Sequence, residues 1–362
     1  MTKLEQERNG MDAGSINVQP TYDIINCGPR NRFWANGKLV HNSDNLNIQN
    51  LPSGRVDGQS NAMRMAIEAP MGSVVVASDS SQIEVRILAY IAQQIDLLSN
   101  FENKVDPYSA MASRIYGLPA DVILNNHKLG VKDYTIMRQL GKASVLGCGY
   151  GMGVARFLDA ARSNYGLDID ESLAQRAVEA YRQSNRAIVK LWKTCGTVLE
   201  DLIFGRSGTF GGPNSDLFYY GMRQLFNESI PGIRLPDGMW ILYRNLRKEY
   251  VVDANTGKSK QEYRYDRYKN GRMQTSRIYS AMVVENLTQA LAFSLLKRQA
   301  IKIAAKYPVA FNVHDEFAIV APEAEAETAK AYLEECMSYT PKWLTGCPIS
   351  CEASYAKQYG AC

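Results

Sequence analysis

The sequence predicts an α/β fold, in which an antiparallel sheet carries two acidic positions and a largely helical region lies between them. Three observations lead to this fold class. An apolar run at residues 74–77 is typical of a buried strand and is followed by Asp79. Residues 107–205 have apolar side chains at mostly helical spacing. Alternating runs on both sides of Asp315 predict a β-hairpin.

The elements near the N-terminus follow from composition and spacing. Residues 1–42 are polar, rich in Asn and Gly, and lack a helical period. Residues 43–60 contain one proline and two glycines and predict an extended loop. After the first strand, the apolar spacing predicts a helix from about Ser81 to Ala92.

The later elements are predicted in the same way. Breaks in the helical region include a glycine cluster at residues 205–212, and residues 236–275 alternate aromatic and basic side chains, which favours strands. A long helix is expected from Ile278 to Lys306, where Pro308 ends it. After the hairpin, a last helix is expected near residues 322–339.

Composition excludes several classes of protein. The chain has 362 residues, 46% of them hydrophobic, so about two or three domains with a sizeable core are expected. A net charge of +4 indicates neither a nucleic-acid nor a membrane partner by itself. No apolar run approaches about 18 residues and no signal segment is recognisable, so no membrane partner is expected. The seven cysteines are scattered, which favours reduced thiols and a cytoplasmic location, in the host cell's cytoplasm if the protein is viral.

Asp79 and Asp315 are the strongest candidates for chemistry. Each places a carboxylate where a strand ends or turns, and the two lie 236 residues apart in the sequence. If folding brings them together, they form a hard oxygen site suited to Mg²⁺, as two-metal phosphoryl transfer requires. The alternative for each aspartate alone is a structural role in a turn or a cap.

Four residues recur at intervals of four and predict one stripe on a helix: Arg138, Lys142, Leu146 and Tyr150. Two cations followed by an apolar and an aromatic residue suit a ligand with phosphates at one end and a flat base at the other. The alternative is a surface helix with two cations and a half-buried tyrosine.

Three motifs in this order resemble those of family A DNA polymerases, the bacterial DNA polymerase I group. They are DSSQIEVR at residues 79–86, RQLGKASVLGCGYG at 138–151 and VHDE at 313–316. The resemblance covers about residues 43–362. It implies a polymerase palm with an antiparallel sheet and mostly α-helical fingers, with boundaries at 43–105 for the first palm segment, 106–235 for the fingers and 236–362 for the second palm segment.

The resemblance implies catalysis with two Mg²⁺ ions. Asp79 and Asp315 would hold them, with help from the backbone carbonyl of Ser80. One ion would lower the pKa of the primer 3′-hydroxyl, and the other would hold the β- and γ-phosphates and the leaving oxygen. Lys142 would protonate the pyrophosphate, and Glu316 would be a third acid with a smaller role.

The resemblance also implies contacts to deoxynucleoside triphosphates and to primer–template DNA. The residues that would bind the nucleotide are Arg138, Lys142, Leu146, Tyr150 and Glu84. Of these, Glu84 resembles the steric gate that excludes a ribose 2′-hydroxyl. The residues that would contact primer or template are Arg55, Gln289 and His314.

Two positions depart from the family pattern. Ser80 replaces the usual Tyr, which is tolerable if only its carbonyl serves. Leu146 stands where an aromatic residue is common, and Leu lacks the flat face that packs on the sugar. We therefore expect altered handling of dideoxynucleotides and slower insertion. Leu at this position, together with other local segments, is typical of phage polymerases.

The stretch from Tyr243 to Tyr279 is basic and aromatic, with ten Lys or Arg against four acids. Cations neutralise phosphates and rings stack on bases, so we expect mainly non-specific duplex contacts here. A solvated hairpin with a mixed surface is the alternative.

Residues 1–42 resemble the end of an intein rather than a polymerase. An apolar segment is followed by His41, Asn42 and Ser43, and splicing needs these residue types. The Asn42 amide can cyclise with proton donation from His41, after the Ser43 hydroxyl has accepted the upstream acyl group. We expect residues 1–42 to be a short, β-rich C-terminal part of a split intein, with a separate chain that carries its N-terminal part and the upstream polymerase domains. The alternative is an N-terminal extension with a chance HNS.

The expected function is therefore the C-terminal half of a template-directed DNA polymerase, matured by protein trans-splicing and weakly active alone. Two alternatives remain open. A single-subunit RNA polymerase shares this kind of palm, although Glu84 argues against it. A non-catalytic nucleic-acid-binding remnant would use only the basic stretch.

Overall fold

A computed structural model describes residues 61–252, 259–269 and 272–362, and the backbone of two short strands nearer the N-terminus. These strands are β1 (Arg32–Ala35) and β2 (Lys38–His41), which pair as an antiparallel hairpin. The hairpin lies inside the segment that was expected to be β-rich.

The α-helices of the described residues, in chain order, are α1 (Ala62–Met65), α2 (Ile83–Ala92), α3 (Ile95–Glu102), α4 (Pro107–Tyr116), α5 (Ala120–Lys128), α6 (Lys132–Cys148), α7 (Val154–Tyr165), α8 (Glu171–Ser184), α9 (Arg186–Ile203), α10 (Ser280–Ala304) and α11 (Ala326–Met337). None of these helices is long and apolar enough to cross a bilayer.

The remaining strands are β3 (Ser73–Ser80), β4 (Gly208–Phe210), β5 (Phe218–Leu225), β6 (Glu228–Arg234), β7 (Trp240–Leu242), β8 (Arg244–Val252), β9 (Ser259–Lys269), β10 (Arg272–Ile278), β11 (Val309–Val313), β12 (Glu316–Pro322) and β13 (Cys351–Ala356). The mixture of helices and antiparallel strands confirms the predicted α/β class.

The chain divides into two compact units. The first comprises Met1–Ser81, Arg298–Tyr339 and Ser350–Cys362, and the second comprises Gln82–Lys297 and Thr340–Ile349. Both units are therefore built from segments that are distant in the sequence.

The first unit contains a four-stranded antiparallel sheet in the order β11-β12-β3-β13. The apolar run of β3 supplies its centre, where Val76 is 0% exposed. Helix α11 packs against β3 and β13. Because β3 is paired on both sides, the residues at its C-terminal end are held in fixed positions. Asp79 is the penultimate residue of this strand.

The second unit contains helices α2 to α9, and its core includes Leu140, Phe157, Tyr181 and Ile188. Helix α4 begins at a strong sequence signal, because the Asp106 side chain accepts from the Ser109 N–H and proline occupies the first helical position. Helices α4 and α6 pack closely, since a Cβ added at Gly141 would lie 2.1 Å from the Tyr108 carbonyl oxygen. The absence of a side chain at Gly141 thus allows the two helices to approach this closely.

Two further antiparallel sheets also belong to the second unit. Strands β8, β9 and β10 form one, in the order β10-β9-β8, as the alternation at residues 236–275 predicts. Strands β4 to β7 form the other, in sequence order. The β4–β7 sheet was not predicted, and most of it lies inside the 106–235 segment that was expected to be mostly helical. Strands β4 and β7 have only three residues each, and a glycine interrupts each of β5 and β6, which weakens the period-two signal.

The remaining boundaries agree closely with the sequence. The predicted helix at Ser81–Ala92 begins two residues later, and the long helix ends at Ala304. The hairpin around Asp315 is confirmed. Asp79 lies within β3 rather than after it, because pairing with β12 and β13 extends that strand to Ser80. The last strand, β13, was missed.

Candidate active site

The two predicted catalytic aspartates lie beside each other at one end of the first unit's sheet. Strands β3 and β12 pair with Asp79 directly opposite Glu316. The backbone N–H of Ser80 donates to the carbonyl oxygen of Asp315 over 3.2 Å. The fold thus brings together two positions that are 236 residues apart in the sequence.

A tight turn holds Asp315 at this end of the sheet. His314 and Asp315 form the two-residue connection between β11 and β12, with Val313 paired to Glu316. His314 has a φ of 53°, in the left-handed region that residues other than glycine rarely adopt. Its side chain is exposed, whereas Asp315 is half-buried. Strained backbone of this kind is concentrated at functional sites.

A third acid lies on the other side of Asp79. Strand β13 pairs with β3 so that Glu352 is directly opposite Asp79. Directly opposed residues share one face of a sheet, so Glu316, Asp79 and Glu352 form a row, and like charges at such positions destabilise the sheet. Sequence reasoning missed Glu352 because it missed β13.

Glu316 is held by residues that carry no local sequence signal. The Tyr359 hydroxyl donates to its Oε2 over 2.6 Å. An Arg64 guanidinium nitrogen lies 3.8 Å from the same oxygen, and the Arg64 Cζ lies 5.1 Å from the centre of the Tyr359 ring. Burial, together with the adjacent Glu316 carboxylate, raises the pKa of Tyr359, so its hydroxyl remains a donor at neutral pH.

On α6, the predicted phosphate-binding arginine is held by a carboxylate. Arg138 donates from Nε to Asp106 Oδ2 over 2.9 Å and from Nη2 to Oδ1 over 3.0 Å. Burial raises the pKa of Asp106, but hydrogen bonds from Arg138 and Ser109 outweigh it, and the pKa lies below its ordinary value. The sequence did not reveal the ion pair between Asp106 and Arg138, because the two residues are 32 positions apart.

The two predicted cations of α6 lie near one ring. The Cζ of Arg138 is 5.3 Å, and the Nζ of Lys142 is 5.9 Å, from the centre of the Tyr108 ring on α4. Both are within the range of cation–π attraction. Tyr108 and Asp106 together orient the cationic half of the stripe.

The aromatic end of the stripe is displaced from the helix. Tyr150 lies two residues beyond the last residue of α6, in a glycine-rich turn, so the predicted single helical stripe ends at Leu146. Tyr150 nevertheless contacts another predicted residue, because its hydroxyl donates to Glu84 Oε2 over 2.9 Å. Burial, followed by the charge of Glu84, raises the pKa of Tyr150.

Two of the remaining predicted residues lie in the second unit. Leu146 is half-buried against the core of the second unit, and Gln289 is exposed on α10. Arg55, Asn42 and Ser43 lie outside the described residues, and His41 is described only as the end of β2.

Four cations of the basic stretch, Arg247, Lys260, Arg264 and Arg277, form ion pairs with acids of its own sheet. Glu262, of which 7% is exposed, lies near Lys260, Arg264 and Arg277 at 3.3, 3.0 and 3.3 Å. Arg247 similarly pairs with Glu249 and with Asp266. These pairs leave less positive charge for a nucleic acid than the sequence count suggested.

Comparison of the sequence with models of known protein families gives a match. The model of DNA polymerase family A matches residues 20–200. The match begins upstream of Ser43, where an intein was expected to end.

Two curated relatives show how much of a polymerase this chain spans. The chain is 26% identical over 355 residues to the DNA polymerase of Bacillus phage SP02, which covers 90% of this chain and 50% of that protein. It is 32% identical over 174 residues to DNA polymerase I of Pseudomonas aeruginosa, which covers 47% of this chain and 18% of that protein. The chain thus spans no more than half the length of either relative.

A solved structure has a similar fold. It is the POL domain of Pol1 from M. smegmatis, in complex with DNA primer-template and dNTP. The TM-score is 0.53 at 16% identity, over 87% of this chain and 44% of that one.

Proposed function

Because this chain belongs to DNA polymerase family A, we propose that it carries the nucleotide-addition site of a template-directed DNA polymerase. Its substrates would be primer–template DNA and deoxynucleoside triphosphates. The observation that carries the proposal is the juxtaposition of Asp79 and Asp315 where β3 meets the strained turn. We assign the β11-β12-β3-β13 sheet to the palm and helices α4 to α9 to the fingers.

The acidic end of the sheet suits Mg²⁺. Among the described residues, no three His, Cys, Asp or Glu side chains converge on a preformed metal centre. Mg²⁺ does not require one, because it is commonly held by one or two carboxylates, waters and substrate phosphates. Asp79 and Asp315, with the Ser80 carbonyl, would hold two ions, which supply charge neutralisation and a more acidic primer 3′-hydroxyl.

The residues around α6 would bind and orient the triphosphate. Arg138 and Lys142 would neutralise its oxygens, and Lys142 would donate a proton to the departing pyrophosphate. The contacts that Asp106 and Tyr108 make with Arg138 support this role, since they restrict the arginine before the nucleotide binds.

Glu84 and Tyr150 would set the sugar specificity. Their hydrogen bond of 2.9 Å restricts the Glu84 carboxylate, which supports a steric gate against a ribose 2′-hydroxyl. Leu146 would line the same pocket without an aromatic face. Arg55, Gln289 and His314 are assigned to contacts with primer or template by family resemblance alone.

Primer extension tests this function. We expect the purified chain, with its proposed partner chain, to add deoxynucleotides in the presence of Mg²⁺, and Asp315→Asn to abolish the addition. Asp168→Asn is a matched control, because the Asp168 side chain is 96% exposed and lies far along the sequence from the acidic end. Undiminished addition by Asp315→Asn would refute the proposed role.

We also propose that the enzyme is matured by trans-splicing at Asn42–Ser43, with a separate chain that supplies the other intein part. The residue types His41, Asn42 and Ser43 and the hairpin that ends at His41 support this. The family match from residue 20 overlaps the proposed intein segment, so the junction needs a direct test.

Mass spectrometry of the mature polymerase provides that test. The splicing proposal predicts a ligated product whose downstream part begins at Ser43, and Asn42→Ala should leave the two chains unjoined. Retention of residues 1–42 in the active enzyme would rule splicing out.

A further inference from the structure

One face of the β4–β7 sheet carries a row of aromatic and arginine side chains that no assigned role uses. In the sheet register, Tyr219 on β5 is opposite Arg234 on β6, which is opposite Trp240 on β7. Directly opposed residues share a face, so the three side chains lie on the same side. Arg223, four residues along β5 from Tyr219, completes the arginine–aromatic row.

The members of this row contact one another. The Tyr219 and Trp240 ring centres are 6.0 Å apart, with the rings nearly perpendicular at 85°. The Arg234 Cζ lies 5.7 Å from the Tyr219 ring centre, and the Arg223 Cζ lies 5.9 Å from the Trp240 ring centre. An arginine thus lies at each end of a pair of rings.

Two glycines give the rings their place on the sheet. Gly221 and Gly232 are paired across β5 and β6, in the row next to Tyr219 and Arg234. A Cβ at Gly221 would lie 2.7 Å from the Tyr219 hydroxyl oxygen, and one at Gly232 would lie 3.3 Å from a Trp240 ring carbon. Both side chains therefore lean over backbone that has no side chain of its own.

Carboxylates of the described residues do not neutralise the two arginines of this row. In the part of the chain that the structure describes, neither Arg223 nor Arg234 lies within 4.0 Å of a carboxylate oxygen, whereas Arg247 and Arg264 in the neighbouring sheet are paired. Arg234 is exposed. Arg234 and Tyr219 also border a cavity of about 840 Å³, whose other charged residues are Asp216, Asp237 and Lys342. Asp237 already accepts hydrogen bonds from the Met239 N–H and the Ser294 hydroxyl.

A fully exposed aromatic residue lies at the tip of the same hairpin. Phe226 is the first residue of the two-residue turn between Leu225 and Glu228, and its relative exposure is 106%. Its φ of 50° is in the region where glycine is usual at this turn position. The strand from Tyr219 to this tip is roughly 23 Å long, enough to follow several nucleotides.

We propose that this face binds single-stranded DNA, namely the unpaired stretch of template. This inference rests on the proposed polymerase function. Rings that are accessible on a sheet stack on unpaired bases, and arginines beside them neutralise phosphates or stack in turn. A duplex exposes the flat faces of its bases only at its ends, so stacking on this row favours single strands over duplex.

The test measures binding of a fluorescently labelled oligothymidine and of a blunt duplex by anisotropy, without Mg²⁺ or nucleotide. We expect Trp240→Ala to weaken single-strand binding about tenfold, which lies within the range for stacking of a base on one ring, and Trp240→Phe to restore most of it. Duplex binding should change less than twofold. Phe204→Ala is the control, because Phe204 is 62% exposed at the end of α9, outside the β4–β7 sheet and the basic stretch.

Arg234→Gln provides a second measurement that does not disturb the rings. For this variant, we expect the slope of log affinity against log salt concentration to be smaller in magnitude by about 0.7. That is the contribution of one phosphate contact on a single strand. Unchanged single-strand affinity in both variants would overturn the proposal and favour a protein as the occupant, and equal losses for single strand and duplex would also overturn it. A protein that binds single strands as predicted but adds no nucleotide would instead refute only the polymerase function.

Discussion

The substitution Asp106→Asn tests whether Arg138 is held in place before a nucleotide arrives. Asparagine has nearly the same size and is as good an N-cap as aspartate, so α4 should still begin at the same residue. The change removes the negative charge that Arg138 contacts with two nitrogens. It therefore isolates the ion pair from the cap.

The size of the effect follows from the geometry and exposure of this pair. The two hydrogen bonds are 2.9 and 3.0 Å long, and the side chains are 23% and 14% exposed. Hydrogen bonds to charged groups contribute about 1.5–3 kcal/mol, and partial exposure places this pair near the lower end of that range. We expect the variant's free energy of unfolding to be about 2 kcal/mol lower.

The pH dependence of this difference has a definite sign. The pKa of Asp106 is lower in the folded chain than its ordinary value of 3.8. A carboxylate of this kind stabilises the fold above its unfolded pKa, and the stabilisation is lost as the pH falls through the folded pKa. The difference in stability between the parent protein and the Asp106→Asn variant should therefore be constant at neutral pH and shrink below about pH 3.8.

Urea unfolding followed by circular dichroism measures this difference at each pH. Asp168→Asn is the control, since Asp168 and its partner Arg162 are 96% and 65% exposed and 3.7 Å apart. The control should change the free energy of unfolding by less than about 0.5 kcal/mol. The reasoning fails if Asp106→Asn has as small an effect as the control, or if its effect persists unchanged in acid.

Three further substitutions have expected outcomes. Leu146→Phe should raise the rate of nucleotide insertion and change the discrimination against dideoxynucleotides, and single-turnover kinetics that match the parent protein would contradict this. Tyr359→Phe should lower the free energy of unfolding by about 1–2 kcal/mol in a urea titration, because Glu316 loses its 2.6 Å hydrogen bond while the ring stays packed. Gly141→Ala should lower it by about 1–3 kcal/mol, the opposite of the usual effect in a helix, because the new Cβ would lie 2.1 Å from the Tyr108 carbonyl oxygen; a rise in thermal midpoint would count against the close helix contact.

The sheet that carries the aspartates was predictable because its sequence signals are local. The run at residues 74–77 is apolar throughout, as a strand with neighbours on both sides requires, and the alternation around Asp315 predicts the hairpin. Helices α4 to α9 were likewise visible as a mostly helical region. In each case the pattern that stabilises the element lies within the element itself.

The supporting contacts were not predictable, because their partners are distant in the sequence. The bond between Arg138 and Asp106 spans 32 residues, and that between Tyr359 and Glu316 spans 43. Both separations are far longer than the spacing of neighbours on one helix or strand, so the sequence gives no indication that these residues are in contact. The end of α6 before Tyr150 was also missed, although the glycines after the helix lower its propensity to continue.

The position of β3 between two late strands has a consequence for synthesis of the protein. β3 is synthesised well before its neighbours β12 and β13, which follow only after the whole segment from Gln82 to Lys297 has been made. Contacts over so many residues form slowly. A nascent chain interrupted before residue 351 would lack one neighbour of Asp79, so the acidic end of the sheet cannot be completed before β13 has been synthesised.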